Sequence, residues 1–253
     1  VKDVWTSGEK EISKIRGISF DVKAGEIVGI AGIDGNGQSE LIEAIAGLRK
    51  VEKGNVILGG ADITNKIVKK IREAGLTHIP EDRNTRGLNR AFTIADNLVE
   101  VELDKTPIVK GGIVNKSAIS KRAEEMIKKF DIRPADGSLP TSSLSGGNAQ
   151  KVVVAREVNL GGKLLIASQP TRGVDIGAIE SIRSILQDVK EQGLGVLLVS
   201  AELEEVMSLS DRIIVMHEGK ITGRMNADEA DEETLGLLMM GGHNAEEKGE
   251  QHE

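Results

Sequence analysis

Residues 26–48, EIVGIAGIDGNGQSELIEAIAGL, decide the fold of this chain. The apolar run from Glu26 to Ala31 predicts a buried strand, and the aliphatic spacing from Ser39 to Leu48 predicts a helix. Between them lies a glycine loop, Gly32-Ile33-Asp34-Gly35-Asn36-Gly37-Gln38-Ser39. A strand, a glycine loop and a helix in this order are the context in which backbone N–H groups and a helix dipole bind phosphate.

The glycine loop keeps the phosphate-binding pattern GxxxxGK[ST] at every fixed position except one. Gln38 stands where lysine is expected, so the loop keeps its backbone turns and the Ser39 hydroxyl for Mg²⁺ but lacks a positive charge. A charge-assisted hydrogen bond contributes about 1.5–3 kcal/mol and a neutral one about 1 kcal/mol. The difference of roughly 2 kcal/mol predicts about 30-fold weaker binding or slower transfer. The alternative is a tight turn that binds nothing.

The candidate nucleotide-binding residues of the loop are Gly32, Asp34, Gly35, Asn36, Gly37, Gln38 and Ser39. Ser39 is also the one candidate metal ligand, and a weak one, because it offers only a neutral hydroxyl.

A second glycine pair lies in the segment Leu144-Ser145-Gly146-Gly147-Asn148-Ala149-Gln150-Lys151, before a helix-like run. A serine and two glycines at a helix N-terminus bring backbone N–H groups, a hydroxyl and the positive end of the dipole to one point. Ser145, Gly146 and Gly147 are therefore predicted to contact phosphate, although such a turn is common on its own.

Composition narrows the class of protein. The chain has 253 residues, a net charge of −7 and no cysteine, which argues against a nucleic-acid binder and excludes thiolate chemistry. Aromatic residues make up only 2% of the chain, so the core must be aliphatic. No apolar run approaches the roughly 18 residues of a membrane span, so we expect no direct membrane insertion. The chain begins at Val1 without methionine, which suggests a piece of a longer protein.

Strands alternating with helices predict an α/β fold with a mainly parallel sheet core, an antiparallel β portion and an inserted helical subdomain. The predicted division is a core of residues 1–90 and 144–240, a helical subdomain at 91–143 and a disordered tail at 241–253. The predicted strands, besides Glu26–Ala31, are Ile18–Val22, Gly54–Leu58, Leu76–Ile79, Lys163–Ala167, Gly195–Ser200, Asp211–Met216 and Lys220–Met225. The predicted helices, besides Ser39–Leu48, are Lys66–Ala74, Ala118–Phe130, Val152–Val158, Gly177–Gln192 and Leu203–Ser208. From 91 to 129 the pattern becomes more helical and more charged, and helix periodicity is clearest at Ala118–Phe130.

The glycine loop, the LSGG segment and the strand after it together resemble the ATP-binding-cassette (ABC) family over about residues 1 to 240. The resemblance implies a P-loop NTPase fold of ABC type, with ATP and Mg²⁺ as ligands. In that family two cassettes pair head to tail, and each LSGG segment reaches a nucleotide held by the partner. The resemblance thus makes Ser145, Gly146 and Gly147 part of a site completed on a partner cassette.

The catalytic positions of the family are altered. Where the family has Asp and then Glu after the Walker B strand, this chain has Ser168 and Gln169, and Ala201 stands at the switch histidine. Glu81 replaces the glutamine of the Q-loop. Serine carries no charge for Mg²⁺, and a glutamine amide is a very poor proton acceptor. We therefore assign no confident catalytic residue and expect intrinsic hydrolysis to be weak or absent.

Further candidates also follow from the resemblance. Trp5 lies where the family stacks an aromatic ring on adenine, although a partly exposed ring near a strand explains it equally well. Asp175 matches the D-loop at the dimer interface, and residues 83–98 follow the Q-loop where the family touches its permease. His78, in a strand pattern, is more simply a structural histidine.

Three motifs resemble the second, C-terminal cassette of tandem ATPases serving sugar and nucleoside importers. They are Pro80-Glu81-Asp82-Arg83, the run from Gln169 to Asp175, and Ser145 to Lys151. The resemblance implies a nucleotide-binding half of an importer, whose partners are permease subunits and an intact cassette forming the N-terminal half of the same polypeptide. It also implies a peripheral location on the cytoplasmic face of the membrane.

Two alternatives to this importer role remain. One is a non-catalytic scaffold cassette that binds no nucleotide itself. The other is a chromosome-maintenance or repair ATPase head, which is disfavoured because no long coiled coil interrupts the chain.

Overall fold

The computed structural model describes residues 1–7 and 13–242. The chain forms two compact units: the first comprises residues 1–78, 162–169 and 187 onward, and the second comprises 79–161 and 170–186. The predicted helical subdomain, 91–143, lies within the second unit, and its boundaries stay a prediction. Gly241 and Gly242 close the last helix through N–H bonds to Leu238 and Leu237. The rest of the predicted tail lies outside the described residues.

The strands are β1 Lys2–Ser7, β2 Ser13–Ile18, β3 Ile27–Ala31, β4 Lys53–Asn55, β5 Ile57–Leu58, β6 Ala61–Asp62, β7 Leu76–Ile79, β8 Val109–Lys110, β9 Ile113–Val114, β10 Leu164–Ser168, β11 Gly195–Val199, β12 Arg212–His217 and β13 Lys220–Asn226. The α-helices are α1 Gln38–Ile45, α2 Val68–Glu73, α3 Ile94–Val99, α4 Lys116–Lys129, α5 Gly146–Asn159, α6 Ile176–Glu191, α7 Leu203–Leu209 and α8 Glu232–Met239. Single turns of π- or 3₁₀-helix occur at Arg83–Gly87, Glu100–Glu102, Thr141–Ser143 and Ala227–Glu229.

The predicted parallel sheet is the centre of the first unit. Its order is β13-β12-β3-β11-β10-β7, with β3 parallel to both β11 and β12, and β10 parallel to β11. Every residue of β3 and β11 is buried, as expected for parallel strands covered on both faces. The parallel register brings the carboxyl ends of β3, β10 and β11 to one edge, which we call the carboxyl edge. The glycine loop starts there.

The antiparallel portion is a sheet of order β2-β1-β4. The strand predicted at Ile18–Val22 is wrong, because β2 ends at Ile18. Ile18, Phe20 and Val22 do alternate with polar residues, but after Ile18 the backbone pairing toward the start of the chain is confined to Phe20. Its N–H donates to the Val1 carbonyl at 3.1 Å, and its carbonyl accepts from the Val1 amino group at 2.9 Å. Alternation alone cannot distinguish an extended segment from a strand with a ladder partner. Strand β1 itself was not predicted.

The core is aliphatic, as composition predicts. Buried residues of β1, β2, β3 and α1 form one cluster with β10, β11 and β12, and a second cluster joins β12 to α7 and α8. The second cluster includes Ala31, so the last residue before the glycine loop is packed on an apolar layer. The loop therefore leaves the sheet from a fixed point.

The second unit is largely helical, with α3 packed against α4 and α5. The region from 91 to 129, where the pattern is more helical, also contains a hairpin of β8 and β9 that the sequence pattern did not indicate. Its turn is Gly111-Gly112, with φ of 58° and 79°, the two positive values that a type I′ turn requires. Helix α4 then begins after Asn115, whose side chain accepts the Ala118 N–H.

Candidate functional site

The glycine loop keeps the turn geometry that the sequence predicts. Gly35 and Gly37 have φ of +89° and +107°, and Gly37 precedes helix α1 in the left-handed conformation. A Cβ on Gly37 would lie 3.0 Å from Ile15 and 3.1 Å from the carbonyl of Lys14. Glycine is required here by both the backbone conformation and the lack of space.

The Gln38 amide is engaged inside the loop. The carbonyl of Ile33 accepts the Asn36 N–H at 3.2 Å, the Asn36 Nδ2 at 3.0 Å and the Gln38 Nε2 at 3.1 Å. Gln38 is 7% exposed. The side chain that replaces the family lysine therefore stabilises the loop's own turn and contributes no charge to it.

The glycine loop is also attached to the hairpin turn between β12 and β13. Asn36 accepts the Glu218 N–H on its side chain and the Gly219 N–H on its carbonyl, both at 2.8 Å. These bonds involve only backbone and amide groups. The loop conformation is consequently stabilised by neutral groups of the chain itself.

The remaining loop candidates differ in exposure. Asp34, Gly35 and Ser39 are exposed, whereas Gly32 is buried. The Ser39 hydroxyl stands in the first turn of α1, where helix N–H groups lack acceptors within the helix. Their role in binding nucleotide stays a prediction.

Ser168, Gln169 and Ala201 lie at the carboxyl edge beside the loop's strand. Gln169 has φ of +47°, and its N–H donates to the Val199 carbonyl at 2.7 Å. Its side-chain Oε1 accepts the Ala201 N–H at 3.1 Å. Residues 169 and 201, which the sequence resemblance predicts to stand at the positions of a catalytic glutamate and a switch histidine, are thus joined by a neutral hydrogen bond. Neither side chain can accept a proton from water.

Ser168 is 6% exposed, and its buried hydroxyl has no hydrogen-bond partner. A buried polar atom without a partner is expensive unless a water or ion satisfies it. Elsewhere within residues 1–7 and 13–242, no cluster of three or more histidine, aspartate or glutamate side chains is arranged to hold a metal. Over the same residues, none of the helices is long and apolar enough to span a membrane.

Trp5 lies on β1, half-buried. Its indole Nε1 donates to Asp3 Oδ1 at 2.8 Å, and this bond is the main reason that the pKa of Asp3 lies below its ordinary value. Lys53 Nζ stands 5.4 Å from the ring centroid, and a Cβ on Gly17 would lie 3.2 Å from the ring. Stacking of adenine on Trp5 stays a prediction.

The signature segment of the second unit begins helix α5. Ser145 is the N-cap, and its Oγ accepts the backbone N–H of Asn148 at 3.3 Å and the Asn148 Nδ2 at 3.1 Å. The earlier N–H groups, at Gly146 and Gly147, have no acceptor within the helix. The structure thus has the arrangement of donors that the sequence predicts for an anion.

Both signature glycines are closely approached by charged side chains of the same unit. A Cβ on Gly146 would lie 2.9 Å from Arg83 Nη2, and one on Gly147 would lie 2.5 Å from Asp175 Oδ2. Asp175 Oδ1 accepts the Ala178 N–H at 3.0 Å at the start of α6. The second unit therefore brings together Ser145, Gly146, Gly147 and Asp175.

Glu81 belongs to the same cluster. Its Oε1 accepts Arg172 Nη1 at 2.5 Å, while Arg83 donates from Nη1 to the Arg172 carbonyl at 2.7 Å and from Nη2 to the Gly173 carbonyl at 3.0 Å. Sequence reasoning assigned Arg83 only to a broad partner-contact segment. No spacing or periodicity signals a contact between residues about ninety positions apart.

Comparison with known proteins places these features in context. A family model described as ABC transporter matches residues 15–172. The nucleoside import ATP-binding protein NupA of Lactococcus lactis subsp. cremoris is 45% identical over 243 residues, which are 96% of this chain and 48% of that protein. The guanosine import ATP-binding protein NupO of Bacillus subtilis is 47% identical over 241 residues, which are 95% of this chain and 47% of that protein. The chain thus spans about half the length of these relatives.

Solved structures agree with the fold. The dimeric structure of MJ0796, a bacterial ABC transporter cassette, superposes with a TM-score of 0.77 at 25% identity over 89% of this chain and 97% of that one. Its dimeric post-hydrolysis state bound to ADP and Pi gives a TM-score of 0.76 at 26% identity over the same shares. The mixed sheet, with its parallel core, antiparallel strands and helices, is that of an ABC cassette.

Proposed function

The chain belongs to the ABC transporter family as an ATP-binding cassette, and from that premise we propose that it is the nucleotide-binding half of an importer for sugars or nucleosides. It supplies its signature to an ATP site on a partner cassette, while its own site is degenerate. The observation that carries this proposal is the contrast between two helix N-termini. Ser145 caps α5, and the N–H groups of Gly146 and Gly147 beside it have no acceptor within the helix. At the start of α1, in contrast, the Gln38 side chain is neutral and donates to the Ile33 carbonyl.

ATP and Mg²⁺ are the proposed ligands. The loop fits a phosphate through its backbone N–H groups. The hydroxyl oxygens of Ser39 and Ser168 are the proposed protein ligands of Mg²⁺. The unsatisfied Ser168 hydroxyl favours a polar occupant such as a hydrated ion at the carboxyl edge. When bound, Mg²⁺ would neutralise phosphate charge, which the chain's own neutral residues do only weakly.

Hydrolysis at this chain's own loop is proposed to be weak or absent. Gln169 can orient a water through its amide but cannot remove its proton, and Ala201 offers no polar group. A general base typically contributes 10²–10⁴-fold to the rate. The catalytic step is therefore assigned to the partner's site, where Ser145, Gly146 and Gly147 stabilise negative charge.

The partner cassette and the permease complete the proposal. We place an intact cassette on the same polypeptide, N-terminal to this one, because the relatives NupA and NupO are about twice as long as the matched region. Permease subunits are proposed to contact residues 83–98, and this contact would hold the cassette peripherally on the cytoplasmic face, where ATP is available. The charge of −7 gives no support for a nucleic-acid partner.

A scaffold cassette that binds no nucleotide is the second candidate, and the Gln38–Ile33 bond favours it because the amide already has an acceptor. Direct ATP binding to the isolated chain distinguishes the two. Micromolar, Mg²⁺-dependent affinity supports a nucleotide-binding half, whereas no binding at millimolar ATP supports the scaffold.

The trans role is tested with Ser145→Arg in the paired assembly. Ser145 is exposed, so the substitution is tolerated by the fold, but it fills the donor site with a long side chain. We expect ATP hydrolysis to fall by about 100-fold or more, as when positioned donors are lost. Ser142→Arg, also exposed and three residues away, is the control and should keep full turnover. Unchanged hydrolysis in Ser145→Arg would refute the trans role.

A further inference from the structure

A clasp links two separate loops of the second unit to its signature. Arg83 donates to the carbonyls of Arg172 and Gly173, and the Arg172 side chain returns to Glu81. The guanidinium of Arg83 also occupies the space beside Gly146, where an added Cβ would lie 2.9 Å from Nη2 and 3.1 Å from the Gly173 carbonyl. Arg83 thus contacts both the Arg172–Gly173 backbone and the first glycine of the signature.

The clasp starts from a loop that is itself rigidly built. Asp82 accepts the N–H groups of Asn84 at 2.8 Å and Thr85 at 3.2 Å, and the Thr85 hydroxyl at 2.7 Å. These bonds lower the pKa of Asp82, so it remains an acceptor at all physiological pH values. They close a turn at Arg83–Gly87 and fix the direction in which the Arg83 side chain leaves the backbone.

The other side of the clasp leads to Asp175. Gly173 has φ of +65°, so its carbonyl is turned toward the arginine by a backbone that only glycine adopts readily. Two residues later Asp175 directly precedes α6, accepts the Ala178 N–H and lies against Gly147. On the preceding side, Gln150 Nε2 donates to the Pro170 carbonyl at 2.8 Å. The 170–175 segment is therefore held at both ends, by α5 and by Arg83.

Burial and hydrogen-bond geometry indicate that Arg83 contributes more to the stability of the clasp than Glu81 or Arg172. Glu81 and Arg172 have side chains 39% and 57% exposed, and an exposed ion pair contributes little. Arg83 is half-buried and makes two charge-assisted bonds from one planar fork, a geometry that lysine cannot reproduce. Loss of one such bond corresponds to about a tenfold change in an equilibrium.

We propose that Arg83 is a positioning residue that fixes the 172–175 segment against the signature, so that Ser145 and Asp175 are presented as one surface and a displacement of the Pro80–Arg83 loop moves that surface. The structural part of this proposal concerns the second unit alone. Its functional part, that permease movement reaches the surface through Arg83, rests on the proposed function.

The structural part is tested on the isolated chain by hydrogen exchange. Arg83→Lys keeps the charge but reaches one carbonyl at most, and we expect the amides of residues 173–178 to exchange about tenfold faster, while those of α4 are unchanged. Arg90→Lys is the matched control, because the guanidinium of Arg90 makes one hydrogen bond within the described residues, of 3.5 Å to Asn84. Glu81→Gln should change the exchange by less than twofold. Equal exchange in Arg83→Lys and wild type would overturn the proposal, as would acceleration spread over α4.

A second variant tests whether arginine and glycine meet at the same point. Gly146→Ala must displace either the Arg83 guanidinium or the Gly173 carbonyl. We expect it to accelerate exchange at residues 173–178, and we expect Arg83→Lys to add less than twofold on top of it, since both break one contact. Fully additive effects would show that the two residues act separately.

The functional part is tested in the assembled transporter. Stimulation of ATP hydrolysis by solute should fall about tenfold in Arg83→Lys and should persist in Arg133→Lys, because Arg133 is 71% exposed and lies outside the proposed permease contact. If Ser145→Arg abolishes hydrolysis while Arg83→Lys retains full stimulation, this inference is wrong and the proposed function survives. If Ser145→Arg has no effect, the proposed function fails, and the exchange measurements still decide the structural part.

Discussion

The glycine loop of the first unit and the signature of the second unit both lead into a helix N-terminus, but they are held in different ways. The loop has no side-chain cap, and its bonds run to the Ile33 carbonyl and the backbone of the 218–219 turn. The signature is capped by Ser145 and approached by Arg83 and Asp175. The loop is held by its backbone and by neutral amide side chains, so it keeps its shape without a charged residue, whereas the signature surface depends on Ser145, Arg83 and Asp175.

The same contrast exists between the two edges of the parallel sheet. At the amino edge, Arg212 bonds Glu26 at 2.6 Å and Lys190 pairs with Asp211 at 2.5 Å. At the carboxyl edge, Ser168, Gln169 and Ala201 carry no charge. Paired charges lie at the amino edge, whereas these three positions of the carboxyl edge are neutral.

Restoring the charges at the carboxyl edge should give the largest effect. We expect Gln38→Lys, Ser168→Asp, Gln169→Glu and Ala201→His together to raise ATP hydrolysis by about 10²–10⁴-fold, the usual contribution of acid–base groups. A glutamate at 169 is isosteric with glutamine, so its carboxylate can still accept the backbone N–H of residue 201. Phosphate release measures the change, with Gln38→Lys alone as control. If the variant folds and binds ATP but hydrolyses it no faster than wild type, the missing activity is not explained by these four positions alone.

Gln38→Lys alone should act on binding. A charge-assisted bond to phosphate in place of a neutral one is expected to tighten ATP affinity by about 30-fold, or roughly 2 kcal/mol. Isothermal titration measures it, and Gln38→Met, which fills similar space without a donor, should not improve on wild type. A gain below threefold would mean that the loop, and not its missing charge, limits binding.

Acid should lower the free energy of unfolding through the ion pair at the amino edge of the sheet. The Arg212 hydrogen bond, helped by the Lys23 N–H, keeps the pKa of Glu26 below its ordinary value of 4.5. A depressed pKa means stability that is present above about pH 4.5 and is lost as the pH falls through the folded-state value. We expect Glu26→Gln to remove about 1 kcal/mol of this pH-dependent stability, after allowance for solvent screening.

Denaturant unfolding measured from about pH 3 to about pH 7, an interval that includes the titration of carboxyl groups, checks this expectation. Asp21→Asn is the matched control, because Asp21 also contacts Arg212 at 3.2 Å but is 68% exposed. It should change the pH dependence less. An equal effect of the two substitutions would argue that burial of Glu26 does not matter.

The smallest effect concerns the signature's cap. Ser145→Ala should lower the free energy of unfolding by about 0.5–1 kcal/mol, because the Asn148 N–H loses its acceptor. Ser145→Thr keeps a hydroxyl and should be near wild type. Helix α1 has no side-chain cap, so an unchanged free energy of unfolding in Ser145→Ala would contradict the distinction between the two helix starts.

Sequence patterns predicted most of the parallel sheet, because a strand buried on both faces is written as a continuous apolar run, as in β3, β10 and β11. They predicted the positions of α1 and α5 from glycine and serine at the helix starts. They failed at Ile18–Val22, where alternation has no ladder partner, and at the β8–β9 hairpin, where two glycines interrupt a helix-like composition. Local patterns do not report which segment lies alongside.

By itself the sequence determined which chemistry is present: a loop with glutamine in place of lysine, a strand ending in Ser168 and Gln169, and an unaltered LSGG segment. These are properties of residue type and spacing, which need no coordinates. Only the tertiary structure decided that Gln38 bonds to Ile33 and that Arg83 holds the Arg172 and Gly173 carbonyls. The reason is that hydrogen bonds depend on distance in space, and residues far apart along the chain meet only after the chain has folded.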